Sequence, residues 1–202
     1  MGFLGWVGRA FSRVYWREEP LVARIRPHLP AGGSVLDVGA GGCRIAELLG
    51  ADGRLSVTAV DVVDHNVTDV PLLLCDGDTL PFPDKSFDAA LLVFVLHHAE
   101  RPEALVREVV RVTRSTVVVI EDAPETLAQR LWWRGWDYLL NHAAHDDIGV
   151  AHRARNVAQW VAFLRSCGAA PVSARRFRAL YPVLRSYPHV VLPVPVGAAT
   201  RG

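Results

Sequence analysis

Apolar residues in this chain fall into short unbroken runs separated by stretches of helical period. Val35, Leu36 and Val38 flank Asp37 and predict a buried strand, which breaks at Gly39, Gly41 and Gly42 before helical spacing resumes at Ile45, Leu48 and Leu49. Leu55 to Val60 predicts a second strand and Leu72 to Leu74 a short third. Ala89 to Val95 predicts a fourth, apolar throughout as expected of a strand covered on both faces. Pro102 to Val112 predicts a helix, with proline in its first turn and Leu105, Val109 and Val112 on one side. Thr116 to Ile120 supplies a fifth strand. From Pro124 to Arg155 the texture turns to Trp and His without strand signals, which predicts a helical insertion over the strand ends. A last sheet-covering helix is then framed by Asn156 as N-cap and Gly168 just beyond its end. Val172 to Phe177 and His189 to Leu192 complete the sheet, and Pro182, Pro188, Pro193 and Pro195 are expected at strand ends.

Alternating strands and connections of this kind predict one α/β domain over residues 1–202. The expected fold is a doubly wound, Rossmann-like domain with a mostly parallel seven-stranded sheet and a helical insertion, 124–155, after the fifth strand. Residues 1–30 read as an N-terminal helical segment. On a helix, Phe3, Leu4, Val7, Phe11, Val14 and Tyr15 share one side and Arg9, Arg13 and Arg17 another. Such a helix docks on the domain or, as the alternative, makes peripheral contact with an anionic membrane.

Composition narrows the partners. Half of the residues are hydrophobic and the formal net charge is only +1, with both signs interspersed, so no nucleic acid partner is expected. Arg175, Arg176 and Arg178 read as a solvated strand edge. Cys43, Cys75 and Cys167 lie far apart with no paired spacing, which points away from disulfides and zinc and toward a reducing cytoplasm. The opening stretch "MGFLGWVGRAF" is too short and too interrupted for a membrane span. Nothing in the sequence sets an oligomeric state.

Ligands of a doubly wound sheet bind outside the carboxyl ends of its strands. The predicted strand ends carry Asp37 with the glycine turn, Asp61, Asp76, and the pair His97 and His98. Asp61 follows the turn by about twenty residues, the offset at which a carboxylate accepts from both hydroxyls of a ribose. Nicotinamide and adenosyl cofactors both offer that diol. A dinucleotide fingerprint counted from Gly39 would need its third glycine at Arg44. Asp37, two residues before Gly39, suits a cationic ammonium or sulfonium better than a diphosphate. The expected cofactor is therefore S-adenosyl-L-methionine.

With "VLDVGAGGCRIAELL", "AVD", "CDGDTLPFPDKSFDAALLVFVLHH" and "EALVREVVRV" in place, the chain resembles the class I S-adenosylmethionine-dependent methyltransferases, in particular the small-molecule type of ubiquinone and menaquinone biosynthesis. The resemblance is close from Ser34 to about Asp122. It implies that Asp37 and the backbone of Gly39, Ala40 and Gly41 hold the methionine end of the cofactor. Asp61, followed by Val62, then holds the ribose, and Asp76 accepts from the adenine amino group with Gly77 alongside. It also implies a methyltransferase acting on a small, apolar or aromatic acceptor. Cys43 departs from the family's third glycine, which is tolerated if that position is already helical.

For a phenol or enol acceptor a proton must leave, and His98 is the first candidate base, His97 the second and His145 behind them. Trp132, Trp133, Trp136 and Tyr138 are candidates for the acceptor wall. His142, His145, Asp146 and Asp147 have ligand-like spacing without a defined third ligand, so no metal is expected. Asp88 reads as a strand-start contact. Glu121 and Asp122 end the fifth strand where catechol-type methyltransferases hold magnesium, but histidines stand where that type has acids after the fourth. Two rivals remain open: a non-catalytic cofactor-binding or interaction module, and a nicotinamide oxidoreductase.

Overall fold

The computed structural model describes residues 18–131, 155–178 and 188–197. The chain begins with α1 (Glu18–Ile25) and a 3-10 turn (Arg26–His28), then enters β1 (Gly33–Val38), α2 (Arg44–Gly50), β2 (Leu55–Asp61), β3 (Leu72–Leu74) and β4 (Phe87–Val93). It continues through α3 (Pro102–Val112), β5 (Thr113–Asp122), α4 (Val157–Ser166), β6 (Arg175–Arg178) and β7 (Pro188–Pro195). The seven strands form one sheet in the order β3-β2-β1-β4-β5-β7-β6. The first five strands pair in parallel, and β7 runs antiparallel to both β5 and β6. The sheet is thus mostly parallel with an antiparallel end.

Helices cover both faces, and a separate core lies under each. One core joins Leu105, Val109 and Val112 of α3 and Trp160 and Leu164 of α4 to Val117 and Val119 of β5. The other joins Leu21, Val22 and Ile25 of α1 and Leu49 of α2 to Val35, Leu91, Val118 and Ile120. Three- and four-residue spacing puts the apolar side of each helix on the sheet, and alternate residues of β5 serve opposite cores. Asn156 caps α4 in a reciprocal box with Gln159, and Gly168 follows the helix at φ 78°. The wholly buried Trp160 donates its indole N–H to the Asp122 carbonyl at 2.8 Å, tying α4 to the end of β5.

Several boundaries differ from the sequence reading. β4 ends at Val93, not Val95, because Phe94 turns to φ 58° and donates its N–H to the Ile120 carbonyl at 2.8 Å. β6 begins at Arg175 and not at Val172. Pro193 lies inside β7, not at its end. It is accommodated because β6 pairs only as far as Val191, and the Pro193 carbonyl on that side accepts from Val172 in place of a ladder partner. Of the insertion, residues 127–131 are helical, opened by Thr126 and Gln129 as reciprocal caps. Trp132, Trp133, Trp136, Tyr138, His142, His145, Asp146 and Asp147 lie outside the described residues, as do residues 1–17 of the N-terminal segment. No helix among the described residues is long and apolar enough to cross a membrane.

Candidate active site

The carboxyl ends of β1, β2 and β3, with that of β4 beside them, open into a cavity of about 680 Å³. Asp37, Gly39, Ala40, Gly41, Asp61, Val62, Asp76 and Gly77 all line it, as do Phe94, Val95 and His98. Three successive strand ends thus converge because parallel strands share one direction and the chain leaves each on the same edge.

Asp37 is buried to 2 % exposure, and its Oδ2 has no hydrogen-bond partner. Burial first, and the nearby charge of Asp61 second, push its carboxyl up to about 7. An acid held this way asks for a cation. Beside it, Gly39 stands at φ 70°, and a Cβ there would lie 2.5 Å from Cγ2 of Val95. The backbone therefore passes where no side chain fits, with its N–H donated to the Val60 carbonyl at 2.9 Å, and the cavity floor beside it is left open for a ligand.

Asp61 shapes the same turn. Its Oδ2 accepts the Gly41 N–H at 2.7 Å and its Oδ1 the Val62 N–H at 2.7 Å. The carboxylate so anchors the glycine loop to β2 and keeps lone pairs for further donors, since an ionised carboxylate has about four acceptor sites. Asp76 curls over its own turn, with Oδ1 accepting from the Asp78 and Thr79 amides at 2.9 and 3.0 Å. Those two amides hold its carboxyl below the usual range, so it is an acceptor and not a donor. Gly77 sits at φ 77°, where a Cβ would meet Val62 at 2.9 Å. Asp78 is in turn paired with Arg101.

Cys43 corrects one expectation. It is not helical but stands at φ 59° as the residue before α2, wholly buried, so the third-glycine position does demand a left-handed backbone. The chain bears that strain, of order 1–3 kcal/mol, in exchange for burying the thiol against Ala46 and Ala59. Burial and the charges of Asp37, Asp61 and Asp64 push the thiol up to about 11, which makes it an inert packing group.

The two histidines separate. His98 lines the cavity, whereas His97 is 3 % exposed and turned inward, its Nδ1 2.6 Å from Oε2 of Glu121. Their rings lie 4.0 Å apart at 45°. Glu121 also accepts the Val95 and Leu96 amides on Oε1. Sequence reasoning gave Glu121 no part in this site. The available signal was an acid closing a strand that is otherwise apolar. Asp88 accepts from the amide and hydroxyl of Ser34 and pairs with Arg114, at the opposite end of the sheet from the cavity. Among the described residues no group of three or more His, Cys, Asp or Glu side chains is arranged to hold a metal ion.

S-adenosyl-L-methionine fits this donor set on the geometry of the chain alone: an unpaired buried carboxylate oxygen for an ammonium, a bare left-handed glycine, and acceptors at the ends of β2 and β3. Fold and site together resemble those of the class I S-adenosylmethionine-dependent methyltransferases. Residues 36–120 match the family model described as "Methyltransferase domain", so that stretch is a methyltransferase domain, as its motifs imply. A demethylmenaquinone methyltransferase of Renibacterium salmoninarum is 36% identical over 144 residues, 64% of this chain and 60% of the relative. The chain spans less than two thirds of the curated relatives it matches. Among solved structures, a 1,6-didemethyltoxoflavin-N1-methyltransferase of Burkholderia thailandensis, with bound 1,6-didemethyltoxoflavin and S-adenosylhomocysteine, superposes with a TM-score of 0.68. It shares 18% identity, over 95% of this chain and 83% of that one. The [4+2]-cyclase SpnF also reaches 0.68, at 16% identity over 88% and 80% of the two chains.

Proposed function

We propose that this chain transfers the methyl group of S-adenosyl-L-methionine to a small apolar or aromatic acceptor. The observation that carries the proposal is Asp37, a buried carboxylate with an unpaired oxygen beside a left-handed glycine whose added Cβ would lie 2.5 Å from Val95. The cofactor brings a methyl group already activated on a sulfonium, so the chain's task is alignment. Asp37 binds the ammonium, Asp61 the ribose hydroxyls and Asp76 the adenine amino group, while the backbone of Gly39, Ala40 and Gly41 sets the depth of the methionine end.

Phe94 and Val95 present apolar surface at the end of β4 and exclude water from the reacting end. His98 is the group placed to accept a proton from a phenol or enol acceptor. His97, the second candidate, is engaged with Glu121 and does not line the cavity, so it stands behind His98 and not beside the acceptor. The insertion 124–155 closes over the acceptor in this reading, and Trp132, Trp133 and Trp136 are its candidate walls. The N-terminal helical segment is the candidate for peripheral contact with a membrane surface, from which an apolar acceptor would be taken. Its place is the cytoplasm.

The second reading, a domain that binds the cofactor without transferring from it, is favoured by one observation: a protein named as a cyclase shares the fold. Incubation with methyl-labelled cofactor and a panel of quinols, phenols and small heteroaromatics separates the two. Label appearing in an acceptor supports the transferase. Tight S-adenosylhomocysteine binding with no transfer to any member of the panel supports the second reading, and binding of NADH in place of S-adenosylhomocysteine would overturn both.

A further inference from the structure

The four residues that follow β4 are fastened one after another to the end of β5. Phe94 donates to the Ile120 carbonyl at 2.8 Å, Val95 and Leu96 donate to Oε1 of Glu121 at 3.1 and 2.7 Å, and His97 Nδ1 meets Oε2 at 2.6 Å. The Glu121 side chain is wholly buried, and three nitrogen donors converge on it. Such a carboxylate only accepts, so His97 must carry its proton on Nδ1. The residues held by their backbones, Phe94 and Val95, and those just after the pin, His98 and Ala99, are the ones that line the cavity. Val95 is also the residue that fills the space a side chain at Gly39 would need.

We propose that Glu121 is a positioning residue: its buried carboxylate holds the 94–98 turn as the wall of the cavity's reacting end and fixes His97 in its Nδ1–H form against His98. The proposal rests on the reading of this cavity as the cofactor and acceptor site. It accounts for two features that packing alone does not require. Phe94 keeps a left-handed backbone, φ 58°, that a bulky residue avoids, and the bonds from positions 94, 95 and 96 to β5 hold it there. A fully buried acid is kept at a strand end where an apolar residue would fill the same space, because only an acceptor can gather two amides and a ring N–H at once.

The two halves of the pin separate by substitution. In Glu121→Gln the amide oxygen keeps the Val95 and Leu96 bonds, but the amide nitrogen now faces His97, which must give up the Nδ1 proton and take the Nε2–H form. In Glu121→Leu both halves are lost. Ring-nitrogen spectra of histidine-labelled protein read the form of His97 and, at 4.0 Å, its effect on His98. S-adenosylhomocysteine, titrated by calorimetry, reads the wall. The expected results are Nδ1–H in the natural protein, a switch to Nε2–H with displaced His98 signals in Glu121→Gln at nearly unchanged affinity, and affinity lower by about tenfold in Glu121→Leu as the wall relaxes. His97 found as Nε2–H in the natural protein overturns the proposal. So does a folded Glu121→Leu that binds S-adenosylhomocysteine as before. If the leucine variant does not fold, the ring spectra of the natural and glutamine proteins decide alone. Should the natural protein not bind S-adenosylhomocysteine, the cofactor reading fails while the same spectra still judge the pin.

Discussion

Asp37→Asn separates what this site needs for binding from what it costs the fold. The carboxyl, ordinarily near 3.8, is pushed up to about 7 in the folded protein. The folded state therefore holds a proton that the unfolded chain has already released. This group's contribution to stability is whole below pH 3.8 and is lost as the pH rises through about 7. At 1.36 kcal/mol for each tenfold change, ionised Asp37 weighs against the fold by about 4 kcal/mol at pH 8. Asparagine removes that charge but leaves an amide without partners, at about 2 kcal/mol. The net expectation is a stability gain near 2 kcal/mol at pH 8, a rise in Tm of about 4–8 °C, fading at pH 5 where the natural protein is protonated too.

Binding must move the other way. An ammonium partner requires the ionised acid, so cofactor binding at pH 6 has first to expel the proton, and affinity should be about tenfold weaker at pH 6 than at pH 8. Glu18, Asp61, His65 and His98 also line the cavity, and the asparagine protein controls for them because it keeps all four. The assay is calorimetry with S-adenosylhomocysteine at both pH values, alongside thermal unfolding. A natural protein whose affinity is flat from pH 6 to 8, or an asparagine protein that binds as tightly as the natural one at pH 8, would refute the assignment of Asp37 to the ammonium.

Asp61→Ala should weaken S-adenosylhomocysteine binding at least tenfold, roughly 1.5–3 kcal/mol, since it removes the ribose acceptor and releases the Gly41 amide together; an unchanged dissociation constant sinks that role. Gly39→Val should abolish binding and lower stability, because its Cβ would sit 2.5 Å from Val95 on a left-handed backbone; normal binding by the folded variant contradicts it. His98→Asn should leave S-adenosylhomocysteine affinity within about threefold while slowing transfer to a phenolic acceptor by 100-fold or more, on the order of general-base contributions. Replacing 124–155 with a short Gly/Ser linker should keep cofactor affinity within a few-fold and abolish transfer, because Asp37, Asp61 and Asp76 lie outside it; retained turnover would move the acceptor elsewhere.

The gathering of the glycine turn and the strand-end acids on one cavity was legible because glycine and strand periodicity are local signals. Asp37, Asp61 and Asp76 each close an apolar run, and parallel strands bring such closures to one edge without any long-range information. The bounds of α3 were read off residue for residue, since a proline start and one apolar side leave little freedom. What escaped depends on contacts between distant segments. Nothing near Phe94 in sequence announces a left-handed turn; it is held by Ile120 and Glu121 on another strand. Cys43 reads from sequence only as a departure from a glycine, tolerated if the position is helical, and its φ of 59° stands in the turn between β1 and α2, where the residue packs against Ala46 and Ala59. Pro193 looked like a strand end because its missing N–H is a local defect, harmless here only because β6 is short.

Glu121 and Asp122 show the limit most directly. As neighbouring acids at the end of a strand they look interchangeable, and the sequence reading paired them as one feature at the end of the fifth strand. Strand alternation sends them to opposite faces. Glu121 enters the core shared with α3 and α4 and meets His97 at 2.6 Å, while Asp122 turns to the other face and meets His189 at 2.7 Å. His189 in turn lies 5.0 Å from the ring of Phe94, itself a lining residue of the cavity. The turn after β4 is therefore gripped from both faces of the sheet, by a carboxylate on its backbone and by an acid-paired ring against its one strained aromatic. Two acids one residue apart thus converge on the same wall because they point apart.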